Sequence, residues 1–135
     1  MSNCLFCKIV AREIPAEIVY DNEIVMAFLD ITPVNPGHVL VIPKAHYPDF
    51  ASTPPETLCE VTVVAQHMAK AALAATGATG FNIGVNNGRV AGQLVDHMHL
   101  HVMPRRDGDG YDLWHGMPYA TGQMAVVAEK IRAAL

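Results

Sequence analysis

The chain has 135 residues, 51% of them hydrophobic and 16% charged, with a formal charge of -4. One compact domain spanning 1–135 is expected, and this balance fits neither disorder nor a polyanion-binding surface, so nucleic acid is not an expected partner. No apolar run approaches the ~20 residues of a bilayer span, MSNCLFCKIV lacks the regions of a signal peptide, and an odd count of three cysteines suits a reducing compartment. A cytoplasmic location without membrane contact is the expectation.

Near the start stands the pair Cys4-x-x-Cys7, a spacing that serves either a metal ion or a redox couple. Next, EIVYDNEIVMAFLD reads as two strands, Glu17 to Tyr20 and Ile24 to Asp30, turning at Asp21-Asn22. TPVNPGH is a loop by its prolines and glycine, and Val39 to Ile42 is a short apolar strand stopped by Pro43. A long helix follows in STPPETLCEVTVVAQHMAKAALAATG. Thr53 is its expected N-cap, Glu56 completes a capping box, prolines occupy the first turn and Gly77 ends it. Leu58, Val61, Ala65, Met68 and Ala72 form the face that packs on a sheet. Cys59 and His67 near that face read as a buried thiol and an ordinary helix histidine.

Phe81 to Val85 reads as another strand, Asn86 to Gly92 as a loop, and Asp96 to Met103 as the last central strand. The tail is turn-rich through PRRDGDGYDLWHGMPYATG, with Trp114 and His115 read as part of a surface turn, and QMAVVAEKIRAAL has the composition of a short C-terminal helix. Strands grouped around one long helix, without βαβ alternation, give an α+β fold with a mostly antiparallel sheet.

HMHLHVMPR places His97, His99 and His101 at alternate positions, and in a strand such residues share one face while Met98, Leu100 and Val102 take the other. Two chemistries use such a row. Histidines at alternate positions can ligate one metal, or a neutral imidazole can attack as a nucleophile while its neighbours hold an anionic substrate. The loop NNGRVAGQ just upstream favours the second, since its backbone N–H groups, Asn and Gln amides and Arg89 are groups that cradle a phosphate.

GQLVDHMHLHVMPR resembles the signature of the histidine triad (HIT) family of nucleotidyl hydrolases and transferases, and CLFCKIVAREIPAEIVYDNEIVMAFLDITPVNPGHVLVIPKAH is similar to that family's N-terminal half. The tail beyond Arg106 lies outside the resemblance. It implies a HIT-like fold, a five-stranded sheet with one long helix and a short C-terminal helix, and a homodimer joined edge to edge. It also implies hydrolysis at the α-phosphorus of purine nucleoside phosphoramidates. A dinucleoside polyphosphate hydrolase, a nucleotide-binding scaffold with vestigial catalysis and a metal-dependent hydrolase are the other readings.

Carried over by position, His99 is the nucleophile that forms a nucleotidyl-histidine. His97 belongs to the same triad, His101 and Gln93 contact phosphate oxygens or the leaving group, and Asn86 lies on the ribose-phosphate side. His38 supports the motif strand, Asp30 accepts from ribose hydroxyls, and Phe28 and Ile31 wall the base. Leu94 departs from the family, many of whose members carry Ser or Thr there, and so removes a hydroxyl donor to the leaving group. Cys4, Cys7, His46 and His97 match a Cys₂His₂ set in zinc-containing branches, which implies a structural Zn²⁺ that ties the N-terminus to the catalytic strand; no catalytic metal is expected.

Overall fold

The computed structural model describes residues 3–135. Cys4, in extended backbone, opens helix α1 (Leu5–Val10), and its Sγ accepts the Cys7 N–H at 3.4 Å. Phe6, Ile9 and Val10 recur at helical spacing, and Phe6 and Ile9 are buried. Strands β1 (Ile18–Asp21) and β2 (Val25–Leu29) form the expected hairpin. Asn22 makes the turn, its Oδ1 accepting the N–H groups of Ile24 and Val25 at 2.9 and 2.7 Å. There follow β3 (Val39–Pro43), α2 (Pro55–Thr76), β4 (Gly80–Gly84), β5 (Leu100–Arg105) and α3 (Gln123–Ala134). The five strands make one antiparallel sheet in the order β1-β2-β3-β5-β4, so the fold is the α+β arrangement expected.

The continuous apolar runs of β2 and β3 are explained by burial on both faces. Val25, Ala27, Val39 and Val41 point to α2 and meet its Val61, Val64, Ala65, Met68 and Ala69. Met26, Phe28, Leu40 and Ile42 point the other way and meet Phe6 and Ile9 of α1. Removal of each such Val, Leu, Ile, Phe or Met side chain from water contributes about 1.5–3 kcal/mol, so the two layers anchor the sheet that carries the motif. Gly77, at φ +70°, ends α2 and donates to the Leu73 carbonyl.

Several expectations require correction. Thr53 is not the N-cap: Pro54 occupies that position with no side-chain cap, and the Thr53 hydroxyl donates to the Asp49 carbonyl at 2.7 Å. Cys59 is exposed rather than buried, because it falls on the solvent side of α2. Helix α1 was not anticipated. The last strand begins at Leu100, so His97 and His99 precede it. There the Met98 N–H leaves the sheet ladder and donates to the Tyr47 carbonyl at 2.6 Å. The apolar alternation of Met98, Leu100 and Val102 persists, all three packing under α2. The segment around Trp114 and His115 is exposed, as expected of a surface segment, and irregular, without a defined turn. Among the described residues no helix is long and apolar enough to cross a membrane.

Candidate active site

The three motif histidines do three different things, and the hydrogen bond on one nitrogen of each ring determines the role of the other. His97 is wholly buried, and its Nε2–H donates to the Pro43 carbonyl at 2.8 Å, which leaves Nδ1 as a bare acceptor. That nitrogen lies 3.4 Å from Cys4 Sγ and 3.6 Å from Cys7 Sγ, while His46 Nδ1 lies 3.4 Å from Cys7 Sγ. All four ligand atoms fall within 4.8 Å of one another. A tetrahedral ion with Zn–S of about 2.3 Å and Zn–N of about 2.0–2.1 Å places neighbouring S and N ligands about 3.6 Å apart, so the residues fit the group. Burial and the adjacent Cys4 push the Cys7 thiol up, and a bound cation would reverse that preference.

His99 donates through Nδ1–H to the His97 carbonyl at 2.6 Å, which leaves its Nε2 lone pair at the cavity. His97 thus joins the Cys₂His₂ cluster by its ring and orients His99 by its backbone.

His101 is set from the neighbouring strand, since His38 stands at the entry to β3, which pairs with β5. The Val34 N–H donates to His38 Nδ1 at 3.0 Å, so neutral His38 carries its proton on Nε2 and donates to His101 Nδ1 at 2.9 Å. His101 therefore carries its own proton on Nε2, a buried N–H with no partner among the described residues. Burial, with His99 and His38 nearby, pushes His101 down to about 4, and burial also lowers His38, although Asp30 opposes that. Both rings are neutral at physiological pH, which this proton chain requires. Asp30 Oδ2 is 3.6 Å from His38 Nε2, and its Oδ1 accepts from the Thr32 N–H at 2.8 Å.

These groups open on a cavity of about 350 Å³, within the size range of small-molecule sites. One wall is apolar, from Phe6, Ile9, Phe28, Leu40 and Val95; Asp30, Asn86, His99 and His101 supply polar groups. Ile31 and Leu94 stand at its rim, exposed at 94% and 93%. The structure thus brings together Phe28, Asp30, Ile31, Asn86, His99 and His101, with His38 behind them. Arg89 is not part of this wall.

Gln93 is placed differently from its implied role. It is buried, its Nε2 donates to the Pro48 and Val95 carbonyls at 2.6 and 3.0 Å, and its Oε1 accepts the Gly88 N–H at 2.8 Å. Both amide protons are committed to backbone, so this side chain shapes the loop that carries Leu94. Phe6 was not foreseen as a site residue, yet its ring meets Phe28, His97 and His99 edge-on at 5.4, 5.9 and 5.2 Å. The helical spacing of Phe6, Ile9 and Val10 was the signal that could have found it.

A family profile described as HIT domain matches residues 11–108. The adenosine 5'-monophosphoramidase of Schizosaccharomyces pombe is 34% identical over 132 residues, 96% of each chain. A crystal structure from Streptococcus mutans superposes with a TM-score of 0.94 at 38% identity, covering 99% of this chain and 86% of that one. A zinc-bound histidine triad family protein from Mycobacterium smegmatis superposes with a TM-score of 0.78 at 40% identity, covering 98% of both chains.

Proposed function

The chain belongs to the histidine triad (HIT) family, and from that premise we propose that it hydrolyses purine nucleoside phosphoramidates through a nucleotidyl-His99 intermediate. One observation carries the reading. The two hydrogen-bond relays leave an unprotonated His99 Nε2 and a protonated, unpartnered His101 Nε2 on two side chains that line the same cavity. A bare nucleophile beside an orphaned donor is what displacement at phosphorus needs.

In the first step the His99 Nε2 lone pair forms a bond to the α-phosphorus, the P–N bond to the amine breaks, and the amine leaves with a proton taken from solvent. The Nδ1–H bond to the His97 carbonyl stabilises the positive charge that develops on the ring. In the second step water attacks phosphorus, the P–Nε2 bond breaks and one proton returns to solvent, which regenerates neutral His99 and releases the nucleoside monophosphate. His101 Nε2–H donates to a phosphoryl oxygen or to the departing group. Asp30 binds the ribose hydroxyls, Asn86 lies beside the sugar-phosphate, and Phe28 and Ile31 hold the base. Leu94 offers no hydroxyl to the leaving group, so His101 carries that duty.

Cys4, Cys7, His46 and His97 hold a structural Zn²⁺ in this reading. When bound, the ion supplies a rigid crosslink between α1 and the strand entry and takes no part in phosphoryl transfer. Two chains pair through β4, in a cytoplasmic setting that keeps the thiolates reduced. The test compares turnover of adenosine phosphoramidate with that of a diadenosine polyphosphate, with and without chelator. Faster amidate cleavage supports the proposal. Faster polyphosphate cleavage, or immediate loss of turnover on chelation while the fold persists, refutes it.

A further inference from the structure

The spacing Cys4-x-x-Cys7 serves a metal ion or a redox couple, and the geometry allows this pair both uses in turn. Both thiols are free and half-buried, and they sit in one helical turn: Cys4 is the N-cap of α1, and the Cys7 N–H donates to its Sγ at 3.4 Å. The two sulfurs lie within 4.8 Å of each other. A disulfide brings them to about 2.0 Å and joins Cα atoms about 4.4–6.8 Å apart, a range that includes residues three apart in a helical turn. Side-chain rotation therefore closes the bond without unwinding α1. Cys4 also lines a surface cleft of about 520 Å³ with Leu5, His46, Leu94 and Asp96, so a small oxidant reaches its sulfur from solvent. Cys7 is not on that wall, and Cys59, exposed on α2, is outside the cluster.

The same cluster ties α1 to the catalytic segment through His46 and His97. Once joined, the sulfurs are no longer thiolates, the form that ligates a metal, and two histidines alone do not complete a closed tetrahedral site. Helix α1 stays docked, because Phe6 and Ile9 are buried against Met26, Phe28, Leu40 and Ile42. What it loses is its fixed position relative to the triad, and Phe6 and Ile9 are walls of the nucleoside cavity. His99 is spared. Its orienting bond goes to the His97 carbonyl rather than the ring, and the ring keeps its own bond to the Pro43 carbonyl. Oxidation therefore acts on binding more than on bond making.

We propose that Cys4 and Cys7 are a peroxide-oxidisable pair whose disulfide releases the metal ion and loosens the nucleoside wall while leaving the His99 relay intact. The Cys4 thiolate attacks a peroxide oxygen, the O–O bond breaks, and the departing hydroxide takes a proton from solvent to leave as water, which gives a sulfenic acid on Cys4. The Cys7 thiolate then attacks that sulfur, the S–S bond forms, the S–O bond breaks, and a second hydroxide leaves as water with a second solvent proton. The two sulfurs lose two electrons and the peroxide gains them. In the reducing setting proposed above the oxidised state is transient and is reversed by dithiols. The released ion rests on the metal reading, and the altered binding rests on the hydrolase reading.

The test uses the zinc-loaded chain carrying Cys59→Ser, which removes the third thiol. Elemental analysis comes first: a chain that takes up no zinc refutes the metal reading and the release with it, while the mass still decides the disulfide. Treatment with about 1 mM hydrogen peroxide should lower the intact mass by about 2 Da, join Cys4 to Cys7 in the peptide map, and release one zinc per chain to a chromogenic chelator in step. Dithiothreitol with added zinc should restore both mass and metal. Toward adenosine phosphoramidate the oxidised chain should show KM raised about 5-fold or more with kcat within about 2-fold. Thiols still open to alkylation after peroxide, separate sulfinic acids on the two cysteines, or a disulfide that forms while zinc is retained would overturn the proposal. A fall in kcat with KM unchanged overturns the division between wall and relay. Mass and metal are read independently of turnover, so failure of the hydrolase reading is recognised separately.

Discussion

His38 offers the sharpest separation of folding from chemistry. His38→Ala removes the acceptor of the Val34 N–H and the donor to His101 Nδ1, both at a side chain only 4% exposed. Each group left unpaired costs about 1–3 kcal/mol, and the lost ring adds a cavity cost, for a total of about 3–6 kcal/mol. That is a large part of a typical stability of about 5–15 kcal/mol. His38→Asn is the informative partner, because its Oδ1 reaches the place of Nδ1 and restores the Val34 bond without reaching His101. Urea unfolding should show the Asn variant regaining about 1–2 kcal/mol over Ala. Turnover of adenosine phosphoramidate should stay down about 10²-fold in Asn, since His101 is free to move its proton to Nδ1 and lose its donor. If Ala costs less than about 0.5 kcal/mol, or Asn restores turnover, the proton relay is wrong.

Other consequences are equally direct. His101 is held at about 4, against 6.5 for the unperturbed group, and His38 is also lowered. The unfolded chain therefore binds protons first on acidification, so stability should be full above pH ~6.5 and fall between there and about 4, a loss that is absent if unfolding free energy is flat across that window. At Gly37, with φ +93°, a Cβ would stand 2.8 Å from Thr76 Cγ2 and 3.3 Å from Pro104 Cγ. The Thr76 hydroxyl is bonded to the Ala72 carbonyl, so it resists moving, and Gly37→Ala should cost about 2–4 kcal/mol in denaturant unfolding. Cys7→Ser should abolish a stoichiometric zinc seen by elemental analysis and lower Tm by about 5 °C or more; equal zinc content in the variant would contradict the Cys₂His₂ site.

The strands and α2 were legible because their signals are local. The apolar runs of β2 and β3, the Asp21-Asn22 turn and Gly77 each act within a few residues of themselves. Thr53 misled because its hydroxyl found the Asp49 carbonyl instead of the helix end. Helix α1 was hidden because a cysteine sulfur performs a cap usually made by Ser or Asp. The triad was legible as a set but not in its division of labour. That division depends on Pro43 for His97, on His38 for His101 and on the His97 carbonyl for His99, the first two being distant in sequence. Gln93 shows the same limit, since its partner Pro48 lies across the loop cluster.

The central claim is that His99 Nε2 forms the bond to phosphorus. Rapid quench of the protein with adenosine phosphoramidate, followed by intact mass spectrometry, tests it directly. The account predicts an adduct of one adenosine monophosphate on the unmodified chain and none on His99→Ala, which also loses turnover. Turnover retained by His99→Ala, or an adduct mapped to any other residue, would contradict it.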